Sequence, residues 1–159
     1  MNIKDYAKNN ILILDGAMGT MLYKSGKLSS GDNPAKLNIT NPETVKAVHR
    51  AYLQAGSNMI LTNTFAAASL PNCEEVIANG VKLAVEAVDG FDTCIGLNIG
   101  PIGEMLEPFG ELSPENAYEQ YKNQVLIGTK NGANAIYIET MSDLNEAEIA
   151  VKAAKENCY

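Results

Sequence analysis

The feature that most narrows the fold is a pattern met four times. A short apolar run ends in polar residues, and a stretch of helical periodicity follows. Ile11 to Leu14 runs into Asp15, Asn58 to Phe65 ends on Thr62, Asn63 and Thr64, Thr93 to Asn98 closes on its asparagine, and Ala135 to Thr140 closes on Glu139. Runs that are apolar on both faces are covered on both sides, which predicts an α/β protein with a parallel sheet. Right-handed crossovers then bring every strand's C-terminal end to one rim. That rim would carry Asp15, Asn63, Thr64, Asn98 and Glu139, at the edge where α/β folds place ligands.

The intervening stretches carry helix signals. Asn41-Pro42-Glu43 supplies a cap, a first-turn proline and a first-turn acid, with Val45, Val48 and Tyr52 at helical spacing and Gly56 as terminator. Pro71 opens a second long helix that closes near Asp89-Gly90, and Ser113-Pro114-Glu115 opens a third that ends at Gly132. In the last helix Asp143 is the cap and Glu146 follows three residues on. Its apolar face is read as Ala147, Ala150, Val151, Ala154 and Cys158. Ser25 to Thr40 is polar and reads as a long loop.

Leu14-Asp15-Gly16-Ala17-Met18-Gly19-Thr20 has the form of a strand, a tight turn and the first turn of a helix. The glycines permit close approach of the backbone, and the amides of Ala17 and Met18 would face a carboxylate or phosphate with the helix behind them. With Asp15 beside them, this seat matches an amino acid's carboxylate and ammonium. The plainer reading is that Asp15 caps the helix and the glycines serve the turn. Asn63 and Thr64 likewise read as turn residues or as ligand contacts. Glu139 reads as a cap or as a ligand group, and Asp143 already fills the capping role. His49, the only histidine, reads as a packing or surface residue.

Of the 159 residues 46% are hydrophobic and 19% charged, within the range of folded globular domains. A net charge of -7 with scattered lysines excludes a nucleic-acid surface. No apolar run reaches the length of a membrane span, and the polar first ten residues predict neither leader nor anchor. A cytoplasmic location is expected, and the three cysteines at no metal-motif spacing fit a reducing compartment. No phosphate fingerprint follows the first run, which disfavours an open doubly wound sheet. A (β/α)8 barrel needs eight strands and roughly 250 residues. The expectation is therefore four βα units over residues 1–159, forming the N-terminal half of a TIM-type barrel.

Five motifs in order carry a family resemblance. They are Leu14 to Leu22, His49 to Gly56, Thr62 to Phe65, Gly100 to Gly103 with Pro108-Phe109-Gly110, and Glu139 to Asp143. Together they resemble the homocysteine-binding domain of cobalamin-dependent methionine synthase, within the wider homocysteine S-methyltransferase family. The resemblance implies a zinc-dependent methyl transfer to the thiolate of homocysteine. It places the substrate's carboxylate on the amides after Asp15-Gly16, at Ala17 and Met18, its ammonium on Glu139, and Asp15, Asn63 and Thr64 around the pocket. Zinc would hold and deprotonate the thiol. The family's zinc ligands are cysteines on later strands, and Cys73, Cys94 and Cys158 match none of them. This chain alone is therefore expected neither to hold zinc tightly nor to methylate. A methyl donor or cobalamin module, with methyltetrahydrofolate, would act through other domains. Half a barrel also leaves two open edges, so a homodimer, or docking with a separate C-terminal half, is the rival expectation. Ala66 stands where the family usually has glycine, which predicts strain if the position needs positive φ.

Overall fold

Three strands hold the centre of the computed structural model, which describes residues 3–158. The domain limits 1–159 extend onto residues 1, 2 and 159, which lie outside the described residues. Strand β1 (Met59–Leu61), β2 (Cys94–Ile99) and β3 (Ala135–Ile138) pair in parallel in chain order, with Met59 opposite Cys94, Gly96 opposite Ala135 and Ile99 opposite Ile138. Helices α1 (Ile3–Tyr6), α2 (Met18–Lys24), α3 (Leu37–Thr40), α4 (Pro42–Gln54), α5 (Cys73–Ala87), α6 (Pro114–Asn131) and α7 (Leu144–Asn157) complete the described elements.

The central strand β2 is buried at every position: a neighbour bonds each edge, Ile95, Leu97 and Ile99 pack under α5, α6 and α7, and Gly96 on the other face sits among the side chains of Met59, Leu61 and Tyr137 from the adjacent strands. Ile60, Ile95, Leu97 and Ile99 meet Val76, Ile77 and Val81 of α5, Tyr121 and Val125 of α6, and Ala150 and Ala153 of α7 in one core. Burying an aliphatic side chain of this size contributes about 1.5–3 kcal/mol, so this layer dominates the stability of the sheet. A second cluster, Leu22, Leu37, Val45, Val48 and Leu83, ties α2, α3 and α4 to α5.

The first expected strand is only partly formed. Leu14 makes an isolated parallel bridge to Met59, and the pairing runs through the Asn58 amide on the Ile13 carbonyl (2.8 Å) and the Asp15 amide on the Met59 carbonyl (2.9 Å). Ile11 and Ile13 are exposed at 83% and 52%, so this run is covered on one face rather than two. With one bonded neighbour and one bare face, the ladder does not extend. The order of pairing is nevertheless the one expected, with residues 13–15 beside β1 and β1 beside β2.

Other departures are local. Ser25 to Thr40 is not all loop, since Asn33 accepts from the Ala35 amide and starts a 3-10 turn, Pro34–Lys36, that leads into α3. The helix expected from Pro71 begins at Cys73, after a 3-10 turn at Ala67–Ser69. Helix α6 matches its signals: the Ser113 hydroxyl accepts from the Asn116 amide, and Gly132 closes it at φ 115. Asp143 caps α7 as expected, accepting from the Asn145 amide. Glu146, however, is turned inward, and α7 buries Glu146, Ala150 and Ala153 while Val151 stays 40% exposed.

Candidate functional site

The strand ends converge on a cavity of about 480 Å³, lined by Asp15, Gly16, Ala17, Met18, Asn63, Asn98, Tyr137 and Glu139 among others. Asp15 is pinned across the end of β1: its amide donates to the Met59 carbonyl, and its Oδ2 accepts from the Leu61 amide at 3.0 Å. It does not cap α2, whose N-cap is Ala17 with no side-chain bond. Early amides of that helix have no acceptor within the helix itself. Glu139 follows β3, its amide on the Ile99 carbonyl at 3.1 Å and its Oε1 accepting from Asn98 Nδ2 at 2.9 Å. Thr140, expected to continue the strand, instead turns the chain away with φ 59, the one positive φ outside glycine among the described residues. A β-branched residue in that region is strained, and such strain collects at sites where a side chain must be aimed.

Two polar atoms in this cluster are buried without a hydrogen-bond partner, Asp15 Oδ1 and Asn98 Oδ1. Burial lifts the Asp15 carboxyl from 3.8 to about 6; the Leu61 amide pulls it down, and the charge of Glu139 adds to the rise. His49 on α4 is fully buried with both ring nitrogens unpartnered, and burial lowers it from 6.5 to about 4. These shifts act on stability in opposite senses. Between about pH 4 and 6 the folded chain keeps a proton on Asp15 that the unfolded chain releases, so this contribution is present in acid and lost as pH rises through 6. Over nearly the same window the unfolded chain protonates His49 and the folded chain does not, so its contribution is present above 6.5 and lost as pH falls towards 4. Asp15→Asn removes the first trend and leaves the second. Urea unfolding should therefore show the variant losing stability more steeply than the parent from pH 6.5 to 4. Equal slopes would mean that Asp15 titrates at its ordinary value.

The remaining residues named from the sequence fall into place with different tasks. Gly16 lies close under the end of the Tyr52 side chain, 2.9 Å from where a Cβ would sit, so a larger residue would displace the Tyr52 ring, whose hydroxyl donates to the Ala17 carbonyl. Asn63 lines the cavity, but its Nδ2 is given to the Pro34 carbonyl and to Asn38 Oδ1, both at 2.9 Å. Thr64 stands behind the wall, its hydroxyl bonded to Thr62 Oγ1 and donating to the Asn98 carbonyl at 2.7 Å. Both therefore hold the loop after β1 in shape. Ala66 adopts φ -102, so the strain expected there is absent, and its carbonyl accepts from Asn33 Nδ2.

Sequence reading missed the wall formed by Pro34 and Ala35, and the buried Asn38 that bonds the Asn63 and Val76 carbonyls. The signal was present. Asn33-Pro34 repeats the cap and first-turn proline of Asn41-Pro42 and Ser113-Pro114.

A model of the family described as homocysteine S-methyltransferase matches residues 12–158. The chain belongs to the homocysteine S-methyltransferase family. Homocysteine S-methyltransferase YbgG of Bacillus subtilis is 30% identical over 173 aligned positions, covering 92% of this chain and 55% of the relative. The homocysteine methyltransferase MmuM of Escherichia coli superposes in its metallated form with a TM-score of 0.81 at 21% identity, over 97% of this chain and 62% of that one. Its oxidized form gives 0.83 at 23%, over 97% and 61%. At these identities the superposition speaks for the fold, a TIM-barrel-type α/β arrangement. This family member spans little more than half the length of the relatives it matches.

One of these MmuM structures is of a metallated form. Among the described residues no three of His, Cys, Asp and Glu come together to hold an ion. Cys94 lies at the start of β2, away from the rim, its thiol donating to Asn134 Oδ1 and raised by burial. Cys73 opens α5, and Cys158 follows α7. These residues do not fit the zinc that the resemblance implied. No helix among the described residues is long and apolar enough to cross a membrane.

Proposed function

We propose that this chain forms the amino-acid-binding part of a homocysteine S-methyltransferase and holds homocysteine in the cavity at the strand ends. The observation that carries the reading is that Asp15 and Glu139, on different strand ends, line one small cavity beside the amides of Ala17 and Met18. Two carboxylates on one side favour an ammonium and repel a phosphate. The amides at the start of α2 suit the substrate's carboxylate. Asn63 and Thr64 keep the loop after β1 against that pocket and so shape it, Asn63 from its wall and Thr64 from behind it.

In this reading the chain corresponds to the N-terminal half of the barrel, acting in the cytoplasm. Metal-held thiol activation belongs to residues other than those described. Reaction with a methyl donor, whether a small molecule or a cobalamin module charged from methyltetrahydrofolate, belongs to the complete protein.

Calorimetric titration with L-homocysteine between pH 5 and 8 tests the proposal. The amine stays protonated throughout while Asp15 titrates near 6, so affinity should be flat above about pH 7. Below about 6 it should weaken roughly tenfold per pH unit, because each bound ligand must then expel a proton. Inorganic phosphate binding as well as homocysteine would overturn the reading.

A further inference from the structure

Asn98, the penultimate residue of the middle strand β2, lines the same cavity as Asp15 and Glu139. Its backbone is fixed on both sides: the amide donates to Thr62 Oγ1 at 3.0 Å, and the carbonyl accepts from Thr64 Oγ1 at 2.7 Å. The side chain therefore leaves from a rigid point. Its Nδ2 donates to Glu139 Oε1 at 2.9 Å. Since a carboxylate oxygen accepts and does not donate, Glu139 selects the amide orientation that offers it N–H and turns Oδ1 the other way. That Oδ1 is buried and unpartnered, in a residue only 9% exposed. Asp15 Oδ1, on the same cavity, is in the same condition. An acceptor buried without a donor is costly, and native structures keep few of them without a reason. Both residues line one cavity with a third acceptor, Glu139, so a guest rich in N–H donors is the chemistry these oxygens would accept.

We infer that Asn98 is a specificity-determining residue, whose side-chain oxygen reads an N–H of the bound amino acid's ammonium together with Asp15 and Glu139. A primary ammonium carries three N–H donors on one atom and meets three acceptors at once. N-methylation removes one of those donors and adds bulk, and loss of the amine removes all three. The inference rests on the proposed homocysteine reading and adds that the pocket selects an unsubstituted amine. The thiol end plays no part in this selection.

The test uses the whole chain and three thiols: L-homocysteine, N-methyl-L-homocysteine, and the des-amino analogue that keeps thiol and carboxylate. The unaltered protein should bind homocysteine at least about tenfold more tightly than either analogue. Asn98→Leu should weaken homocysteine about tenfold to thirtyfold and leave the des-amino analogue within about threefold. A merely structural role would weaken both ligands together, and that result would overturn the assignment, as would unchanged homocysteine binding. Should Asn98→Leu not fold, the N-methyl comparison on the unaltered protein decides alone, and equal affinity there overturns the inference. Homocysteine binding no better than inorganic phosphate would instead remove the underlying reading of the cavity.

Discussion

If the proposed reading holds, Glu139→Gln should lower the affinity for L-homocysteine by about thirtyfold to a hundredfold, because it would remove one charge of the ion pair proposed between the ligand's ammonium and the cavity wall. The substitution preserves shape, and a glutamine oxygen still accepts from Asn98 Nδ2, so the fold at the rim should persist. A second readout separates charge from packing. The Asp15 carboxyl should move slightly down from about 6, since Glu139 contributes to its rise, while burial, the larger cause, is untouched. Calorimetry gives the first quantity and carboxyl chemical shifts give the second. Undiminished homocysteine affinity would show that the ammonium is held elsewhere.

Glu146→Ala destabilises the chain by about 2–4 kcal/mol, the cost of removing a buried acceptor that leaves the Ile102 amide without its carboxylate and the Tyr121 hydroxyl with only the longer contact to the Gly100 carbonyl at 3.4 Å. Glu146 is buried on the first turn of α7, where its Oε1 accepts from the Ile102 amide at 2.9 Å and from the Tyr121 hydroxyl at 2.7 Å. Burial, and then the bond to Glu146 and its charge, push the Tyr121 phenol well above its usual range, so it remains a donor. One carboxylate thus joins α7, α6 and the loop that follows β2. Glu146→Gln keeps an acceptor for one or both donors and should recover most of the loss. Urea unfolding midpoints compare the two variants, and equal destabilisation by alanine and glutamine would show that the hydrogen bonds are not the source.

Glu146 also illustrates what periodicity alone could and could not convey. An acid three residues after an Asp cap reads as a capping box, and nothing local reveals that a loop amide and a tyrosine 25 residues earlier are waiting for it. Its inward turn rotates the whole of α7, so the apolar stripe read from Ala147 and Val151 lies to one side of the face that is buried. Helix α6 was legible end to end, because Ser113, Pro114 and Gly132 are local signals with local causes. The first strand was legible in its place and not in its extent, since pairing depends on a neighbour for each edge and the run at Ile11 to Leu14 has one. At the site, Asp15, Asn98 and Glu139 could be placed on one rim from the βα order alone. The division of labour that makes Asn63 and Thr64 loop clamps, and leaves Asn98 and Asp15 with free acceptors, is set by contacts between strands that no single segment encodes.

The most direct test of the account is chemical-shift mapping on the isotopically labelled chain, titrated with L-homocysteine at pH 7.5. The account predicts saturable shifts at the amides of residues 16–19 and at the side chains of Asp15, Asn98 and Glu139, with few changes around α1 and the far end of α6. Shifts confined to one of the two strand ends, or centred away from both, would contradict it.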